Sequence, residues 1–289
     1  MPPGRVRGRY WRGRLPAAAL GWPLRAAYQV SQGHNRQSNM ELTVGSRTDI
    51  GPRKMNQDYL GWWPELGLFV VADGMGGHNA GEVASHLAVE AIHQFITETA
   101  AGGDITWPFG IEVAQSIEIN RLTTAVRLAN RKVYAEGSRH AELNGMGTTV
   151  VAVLVSGDQL ALASVGDSRI YRLRRGNLEQ LTKDDTWLAS VLGEKEAEDA
   201  DPAHPLRHVL TSVVGTKDDV KPGAREERLV AGDTFVMCSD GVHGRLDSAA
   251  ITEVLMAASS APEQATRLVN EALTRGSSDN ATALVIAIS

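Results

Sequence analysis

The apolar segments of this chain are grouped in blocks, strands with strands and helices with helices, and this order constrains its fold more than any other feature. Three short strand-like segments come first, at 41–46, 59–63 and 66–72. Apolar residues at the three- and four-residue spacing of an amphipathic helix then follow at 80–96 and, less regularly, at about 111–134. This order differs from the strict strand-helix alternation that is typical of a parallel sheet.

A second block of strand-like segments occupies the middle of the chain. Turns of hairpin length, among them Gly157-Asp158 and Gly176-Asn177, separate four such segments and predict one antiparallel meander over 148–155, 159–165, 170–173 and 178–181. Beyond them we predict strands at 234–238 and 281–288, and helices at 251–258, capped near Asp247 or Ser248, and at 262–272. Together these blocks predict an α+β fold with layered, mostly antiparallel sheets.

The length of the chain suits one large domain. Single layered domains run to about 250 residues, and this chain has 289, of which 43% are hydrophobic. Residues 1–39 contain seven arginines and no acidic residue, so we expect either a misassigned start or a disordered basic leader. The folded domain is predicted at 40–289, with a polar, acidic stretch at about 184–222 forming a helical insertion or flap.

The charge of the chain argues against nucleic acid as its main partner. The formal net charge is −5 and becomes −12 without residues 1–39, whereas proteins that grip a phosphate backbone carry basic patches. The apolar stretch at 15–24 is broken by Pro16 and Pro23 and is too short to span a bilayer. The single cysteine, Cys238, excludes an intrachain disulfide, and its apolar surroundings predict a buried structural thiol.

Four aspartates stand at the ends or the starts of strand-like segments. Three lie beside a glycine where an apolar run ends: Asp73 in VVADG, Asp167 in ASVGD and Asp240 in MCSDG. Asp279 precedes the final strand. Asp58, in NQD, likewise precedes the strand-like segment at 59–63. A single Asp-Gly pair is usually a turn, but five such carboxylates together predict a cluster of oxygen ligands. Mg²⁺ and Mn²⁺ take such ligands, and paired metal ions activate water for attack on phosphorus, which indicates a metal-dependent phosphatase.

Two other chemistries fit the sequence poorly. The glycines after Asp73 follow neither GxGxxG nor GxxxxGK[ST], so this loop is not predicted to cradle a nucleotide. The serines near the aspartates lie outside any GxSxG elbow, which argues against a serine hydrolase. His204 and His208 are four residues apart but lack the glutamate of HExxH, and we interpret them as packing or substrate contacts of the flap.

Seven motifs follow one another along the chain. They are RKMNQD (53–58), VVADGMGGHNAGEVAS (70–85), GMGTT (145–149), VGDSRIY (165–171), HPLRHVLTSVVG (204–215), CSDG (238–241) and SDNAT (278–282). As a set they resemble the metal-dependent protein phosphatases of type 2C, especially the compact bacterial branch, over nearly all of the chain from about residue 41. The resemblance implies a central antiparallel β-sandwich flanked by helix pairs, in four αββα layers, with two metal ions at one end.

The resemblance also implies a role for each metal ligand. Asp73 would bridge two Mn²⁺ or Mg²⁺ ions, and the carbonyl oxygen of Gly74 would bind one of them. Asp240 and Asp279 would hold the second ion. Asp167, together with Asp240, resembles the site of a third and weaker metal ion in bacterial relatives.

Further residues of the motifs would serve the phosphate, the water and the surrounding structure. Arg53 resembles the arginine that grips the phosphate, a role that suits a planar guanidinium, which is always charged and binds two oxygens at once. Asp58 would hold a metal-bound water from outside the ligand shell. Asn280 is interpreted as a support for Asp279, and Arg169 as a structural residue that holds its turn by a salt bridge.

The general acid is not assigned by the resemblance. Eukaryotic members of the family place a histidine, the proposed general acid, directly after the Asp-Gly pair, and this chain has Met75 there. We interpret His78, three residues later, as a solvated loop residue that does not take over the role. Protonation of the leaving group would then fall to a metal-bound water, with Asp58 as a relay.

We therefore expect a Mn²⁺- or Mg²⁺-dependent phosphatase that hydrolyses phosphoserine and phosphothreonine in proteins with a water activated by two metal ions. The implied partners are phosphorylated proteins, namely Ser/Thr kinases and their substrates, without nucleic acid or membrane, and we expect a cytoplasmic monomer. Two alternatives stay open. One is a stress-response or sporulation-type phosphatase of anti-sigma-factor antagonists, although the intact Arg53 motif favours a phosphatase that opposes Ser/Thr kinases. The other is a non-catalytic relative that binds phosphoproteins.

Overall fold

The structure is a computed structural model that describes residues 40–77, 80–100, 107–193, 204, 206 and 209–289, and the backbone of 26–29. The predictions made for His78 and His208 lie outside these residues. Within the expected leader, Ala26–Gln29 forms the first strand, β1, which pairs with β2 (Glu41–Asp49). The expectation that residues 1–39 are a misassigned start or a disordered leader stays a prediction.

The described strands form two antiparallel sheets. Sheet A has the strand order β1, β2, β12 (Ala281–Ile288), β11 (Thr234–Cys238), β8 (Arg169–Arg174) and β9 (Asn177–Gln180). Sheet B has the order β10 (Gly223–Arg228), β7 (Gln159–Val165), β6 (Val150–Ser156), β4 (Leu68–Met75) and β3 (Asp58–Trp63), and the short β5 (Gly147–Thr148) pairs with β4.

Helices cover the outer faces of both sheets. The long helices α1 (Ala80–Ala100) and α2 (Ile117–Arg139) pack on sheet B, while α5 (Ser248–Ala257) and α6 (Ala261–Thr274) pack on sheet A. Two shorter helices, α3 (Trp187–Leu192) and α4 (Asp240–His243), lie in the connections. No helix in the described part of the chain combines the length and apolar character that a membrane span requires.

Alternating side chains of β4 show how the layers are joined. Leu68 and Val70 pack into the core beneath α1 and α2, whereas Phe69 and Val71 face the core between the sheets, which also contains Phe235 of sheet A. Successive residues of a strand point to opposite faces, so a strand between two cores is apolar at nearly every position. The predicted α+β fold, a sandwich with helix pairs outside, is confirmed.

The predicted meander over 148–181 is wrong in one respect. β6 pairs with β7 in sheet B and β8 pairs with β9 in sheet A, but β7 and β8 lie in different sheets. The chain crosses between the sheets at Gly166, whose φ of +96° lies in the left-handed region that favours glycine. Apolar alternation is the same in both topologies and cannot distinguish them. The crossing places Asp167 at one end of the sandwich, between its two sheets.

One local prediction is wrong and one strand was missed. Helix α2 begins at Ile117, not near 111, because the Asn120 side chain binds the main chain of Glu112 and Ser116 and holds this segment as a loop. Strand β10 was not predicted, since its sequence GAREER is charged and mostly exposed at a sheet edge. The described part of the flap contains one short helix, α3. The predicted cap of α5 is confirmed, because the Asp247 side chain accepts a hydrogen bond from Ala250 N.

Candidate metal centre

Five carboxylates lie at one end of the sandwich, each brought there by a different part of the fold. Asp58 begins β3 and Asp73 lies near the end of β4. Asp167 lies in the crossing between β7 and β8, Asp240 begins α4 directly after β11, and Asp279 comes just before β12. The structure thus brings together all the aspartates that the sequence singled out.

Asp58 and Asp73 lie directly opposite each other in the antiparallel pair of β3 and β4. Like charges at such positions repel and destabilise a sheet unless another charge compensates them. Burial raises the pKa of Asp73 well above its usual range, and the charges of Asp58, Asp240, Asp167 and Asp279 raise it further. This end of the sandwich therefore carries more negative charge than the protein alone stabilises.

Two further carboxyl groups show the same imbalance. Burial raises the pKa of Asp58 to about 6, and the nearby charges of Asp240 and Asp279 act in the same direction. Burial also raises the pKa of Asp167 to about 7, with added repulsion from Asp240 and Asp184. A cation bound among these groups would favour their ionised forms and remove the imbalance.

Neutral hydroxyl groups, those of Ser239 and Thr282, act on the carboxylate of Asp58. Its Oδ2 accepts a hydrogen bond of 2.8 Å from Ser239 Oγ, while its Oδ1 is buried without a hydrogen-bond partner among the described residues. Ser239 is fully buried, and its Oγ accepts from Thr282 N at 3.1 Å. Ser239 is thus a support for Asp58 that the sequence analysis did not assign, and its only signal was its position beside Asp240.

The main chain of Asp73 is fixed by two threonines of the GMGTT motif. Asp73 N donates to Thr149 Oγ1 at 3.1 Å, and Asp73 O accepts from Thr149 N and from Thr148 Oγ1, both at 2.8 Å. The hydroxyls of Thr149 and Ser168 are hydrogen-bonded at 2.7 Å. These bonds connect the strand of Asp73 to the crossing that carries Asp167. The sequence analysis gave no role to either threonine.

Gly74 lies where three backbone segments approach one another closely. A Cβ atom at this position would come within 2.0 Å of the Gly81 carbonyl oxygen and 2.7 Å of the Gln57 carbonyl oxygen. Gly74 N donates to Gln57 O at 3.1 Å. A glycine is therefore required here by space alone, and the role of its carbonyl as a metal ligand stays a prediction.

Arg53 reaches the same end of the sandwich and pairs with Asp279. Its Nη2 donates to Asp279 Oδ2 at 2.6 Å and its Nε donates to the carbonyl oxygen of Ser278 at 2.8 Å. Half of the Arg53 side chain, 51%, is exposed to solvent. The guanidinium thus lies at the rim of the carboxylate cluster, where it is accessible to a phosphate from outside.

Asn280 supports more than its neighbour Asp279. Its backbone N donates to Asp279 Oδ1 at 2.8 Å, and its buried side chain donates to the carbonyl oxygens of Ile50 and Met55, each at 2.8 Å. Its Oδ1 accepts from Gln57 N at 2.8 Å. One side chain therefore fixes the whole loop that carries Arg53 to the cluster.

The donor set fits hard divalent cations. Every candidate ligand is an oxygen, the cluster is strongly negative, and the buried Oδ1 of Asp58 lacks a hydrogen bond, as expected for a site that binds Mg²⁺ or Mn²⁺ with water. In the described part of the chain, no three His, Cys, Asp or Glu side chains converge on one point as a metal site. In this arrangement the guanidinium of Arg53 supplies the positive charge beside Asp279.

Three other predicted residues serve local structure. Arg169 donates to Asp184 at 2.8 to 3.2 Å, which confirms its structural salt bridge. Cys238 is a buried free thiol, as predicted, and burial raises its pKa to about 12. His204 Nδ1 accepts from Leu206 N at 3.2 Å, a local contact within the flap segment.

Comparison with known families gives one match over most of the chain. The model of the family described as Protein phosphatase 2C matches residues 48–275. This range includes four of the five clustered aspartates and leaves out only Asp279.

Curated relatives are bacterial proteins named as phosphatases. The chain is 35% identical to the serine/threonine protein phosphatase PstP of Mycobacterium tuberculosis over 84% of this chain, but spans only 44% of that protein. It is 33% identical to the serine/threonine phosphatase stp of Listeria innocua, over 83% of this chain and 93% of that protein.

Solved structures of similar proteins share the fold. The catalytic domain of PstP in complex with two manganese ions has a TM-score of 0.72 and 33% identity, over 86% of this chain and 99% of that one. The serine/threonine phosphatase Stp1 of Staphylococcus aureus has a TM-score of 0.74 and 30% identity, over 90% of this chain and all of that one.

Proposed function

The chain belongs to the protein phosphatase 2C family, and from this premise we propose that it is a metal-dependent phosphatase of phosphoserine and phosphothreonine in proteins. The observation that carries the proposal is the set of five aspartates at one end of the sandwich, with Asp58 and Asp73 directly opposite each other. Such a cluster is destabilising unless cations bind within it. The names of the relatives, which are serine/threonine phosphatases, support the same substrate class.

The metal ligands follow from the chemistry of the donors. Asp73, the Gly74 carbonyl oxygen, Asp240 and Asp279 would hold two Mn²⁺ or Mg²⁺ ions, and Asp167 with Asp240 would hold a weaker third. When bound, the pair of ions supplies an acidified water as the nucleophile and neutralises charge on the phosphate. The two manganese ions in the structure of PstP support this number.

The protein's own residues orient the reactants. Arg53, at the rim, binds two phosphoryl oxygens through its fork of N–H donors and aligns phosphorus for in-line attack. Asp58 Oδ1, which is buried beside Ser239, would hold a metal-bound water and relay a proton from it to the oxygen of the leaving group. A protein nucleophile is not required, since the Ser239 hydroxyl binds Asp58 and the thiol of Cys238 is buried.

The partners in this proposal are phosphorylated proteins, among them Ser/Thr kinases and their substrates. Neither nucleic acid nor a membrane takes part, and the enzyme acts as a cytoplasmic monomer. The stress-response type of phosphatase and the non-catalytic phosphoprotein binder are the alternatives. The second predicts a folded protein that binds metal ions without turnover.

Hydrolysis of para-nitrophenyl phosphate and of a phosphothreonine peptide by the full chain tests the proposal. We expect turnover with Mn²⁺ that EDTA abolishes and that Asp240→Ala lowers by at least about 100-fold, because a metal ligand is lost. Glu253→Ala is the matched control, since Glu253 is an exposed carboxylate of α5 outside the cluster. A folded wild-type protein that binds Mn²⁺ but hydrolyses neither substrate would contradict the proposed activity and favour the non-catalytic alternative.

A further inference from the structure

His243 connects the two chain segments that carry Asp167 and Asp240. It is the last residue of α4, which begins at Asp240, so the two side chains are separated by about one helical turn. The Nε2 atom of His243 lies 3.0 Å from the carbonyl oxygen of Asp167. A carbonyl oxygen only accepts, so Nε2 carries a hydrogen and donates it. This bond joins α4 to the crossing between the sheets.

Each of the three residues of the crossing is held by a separate contact. Gly166 N donates to Asp185 Oδ2 at 3.0 Å, and Gly166 O accepts from Asp185 N at 2.9 Å. The hydroxyl of Ser168 binds that of Thr149 at 2.7 Å. Between them, the carbonyl of Asp167 binds His243. The contact from Asp167 therefore leads to α4 and to Asp240, whereas the other two lead to the flap and to Thr149, between β5 and β6.

The segment on the other side of this contact, α4, is held from the side of sheet A, where Val242 is buried and Ser277 Oγ donates to the carbonyl oxygen of Gly241 at 2.8 Å. Helix α4 has only four residues, and so short a helix depends on its surroundings for its position. Asp167 is buried, with 7% of the residue exposed, and its carboxylate repels that of Asp240. Without a contact across the gap, this repulsion would favour a wider separation of the two carboxylates.

We propose that His243 is a positioning residue that fixes the separation of the Asp167 and Asp240 carboxylates and so sets the affinity for the divalent cation held between them. The imidazole acts through its hydrogen bond to the Asp167 main chain and does not ligate the ion. The inference rests on the proposed function for the assignment of that third ion to these two carboxylates. It does not require that the protein hydrolyse phosphoesters.

Mn²⁺ titration of the full chain, followed by the electron paramagnetic resonance of free Mn²⁺, tests the proposal. In the wild type we expect two tighter sites and one weaker site. His243→Leu, which has no donor, should weaken the third site by about 10-fold or more, as is usual when a residue that orients a ligand is lost. The two tighter sites should change by less than about 3-fold. Circular dichroism establishes that each variant is folded.

Two further variants separate the hydrogen bond from simple packing. The side-chain amide of His243→Gln can reach the position of Nε2 and donate, so we expect its third site to stay within about 3-fold of the wild type. The shorter amide of His243→Asn cannot reach, and should weaken the site as leucine does. The matched control is His140→Leu, because the His140 side chain is half exposed and lies beside Glu136 and Glu142 at the end of α2, outside the cluster.

Several results would overturn the proposal. One is an unchanged Mn²⁺ affinity of the third site in His243→Leu. Another is an equal loss of that affinity in His243→Gln and His243→Leu. If His243→Leu fails to fold, equal affinities in the glutamine variant and the asparagine variant decide against it. A wild type with only two Mn²⁺ sites also overturns it and leaves the proposed phosphatase intact. A wild type with three sites and no turnover contradicts the proposed function instead.

Discussion

Uncharged neighbours hold the aspartates of the candidate metal centre. Asp73 is fixed through its main chain by Thr149, Asp58 accepts from a serine hydroxyl, and Asn280 donates its backbone N–H to Asp279. Neutral donors orient a carboxylate without neutralising it. Much of the negative charge of the cluster is therefore retained for a cation, although Arg53 acts on Asp279 at the rim and the charge of Arg169 acts on Asp167.

Arg53 should affect substrate affinity and turnover but not metal binding. Replacing it in Arg53→Ala removes charge-assisted hydrogen bonds to phosphate, each worth about 1.5–3 kcal/mol, so we expect kcat/KM for a phosphopeptide to fall by about 10- to 100-fold. Mn²⁺ affinity should stay equal or rise, because the positively charged guanidinium no longer competes with Mn²⁺ for Asp279. Arg53→Lys should recover only part of the activity, since lysine lacks the bidentate fork.

Steady-state kinetics and Mn²⁺ titration of the same preparations measure both effects. Arg228→Ala serves as the control, because Arg228 is an exposed arginine whose ion pair with Asp158 lies on the edge of sheet B. An Arg53→Ala enzyme with wild-type kcat/KM, or one that loses Mn²⁺ affinity instead, would show that this arginine does not serve the phosphate.

Single residues of the site were predictable where charge conflicts with an apolar surrounding. Asp73, Asp167 and Asp240 each end an apolar run beside a glycine, and this conflict is visible in the sequence. The supports Thr149 and His243 carry no such signal. A threonine fits any strand, and the contact of His243 with a backbone carbonyl 76 residues away depends on tertiary structure alone.

The crossing between the sheets should tolerate no side chain at Gly166. Two effects destabilise Gly166→Ala. The φ of +96° is strained for alanine, and the new Cβ would lie 2.7 Å from the Thr149 side chain. Displacement of Thr149 would disturb its hydrogen bonds to Asp73 and Ser168. We expect lower stability and weaker Mn²⁺ binding.

Gly176→Ala is the matched control, because Gly176 also has a positive φ, +79°, but has open space around its Cβ position. Its free energy of unfolding should fall only by the cost of left-handed backbone, about 1–2 kcal/mol, and its Mn²⁺ affinity should not change. Urea unfolding and Mn²⁺ titration provide the comparison. Equal losses in the two variants would mean that contact with Thr149 is unimportant.

The type of an element was predictable where burial is one-sided, and strand partners were not. Helix α1 shows the expected apolar stripe and lies where it was predicted. The start of α2 was predicted too early, because the apolar residues Ile111 and Val113 imitate a helical pattern although they lie in an exposed loop, Val113 with 90% exposure. Charged β10 escaped prediction for the opposite reason, since an edge strand exposed to solvent has no apolar face.

The molecule as a whole should fold without residues 1–39. All the described core residues, in the three clusters between and outside the sheets, lie from Met40 onwards. Strand β1 adds four residues to the edge of sheet A and pairs only with the first part of β2. A chain that begins at Met40 should therefore keep its Mn²⁺-dependent turnover within about twofold and melt cooperatively.

Thermal unfolding by circular dichroism and turnover of para-nitrophenyl phosphate compare this shortened chain with the full one. An insoluble shortened chain, or one that has lost activity, would show that the segment before Met40 is part of the folded domain. Mass spectrometry of the natural protein separately decides between a start at Met1 and a start at Met40.

The position of β12 in sheet A determines when during synthesis this protein acquires its site. β12 follows all other strands in the chain but lies in the interior of its sheet, between β2 and β11. Arg53 and Asp279 form a hydrogen bond across 226 residues of sequence. A ribosome-bound chain that lacks β12 can close neither the sheet nor the carboxylate cluster, and such non-local contacts form late in folding. An unfinished chain would therefore be catalytically silent, and no phosphate would be removed until sheet A is complete.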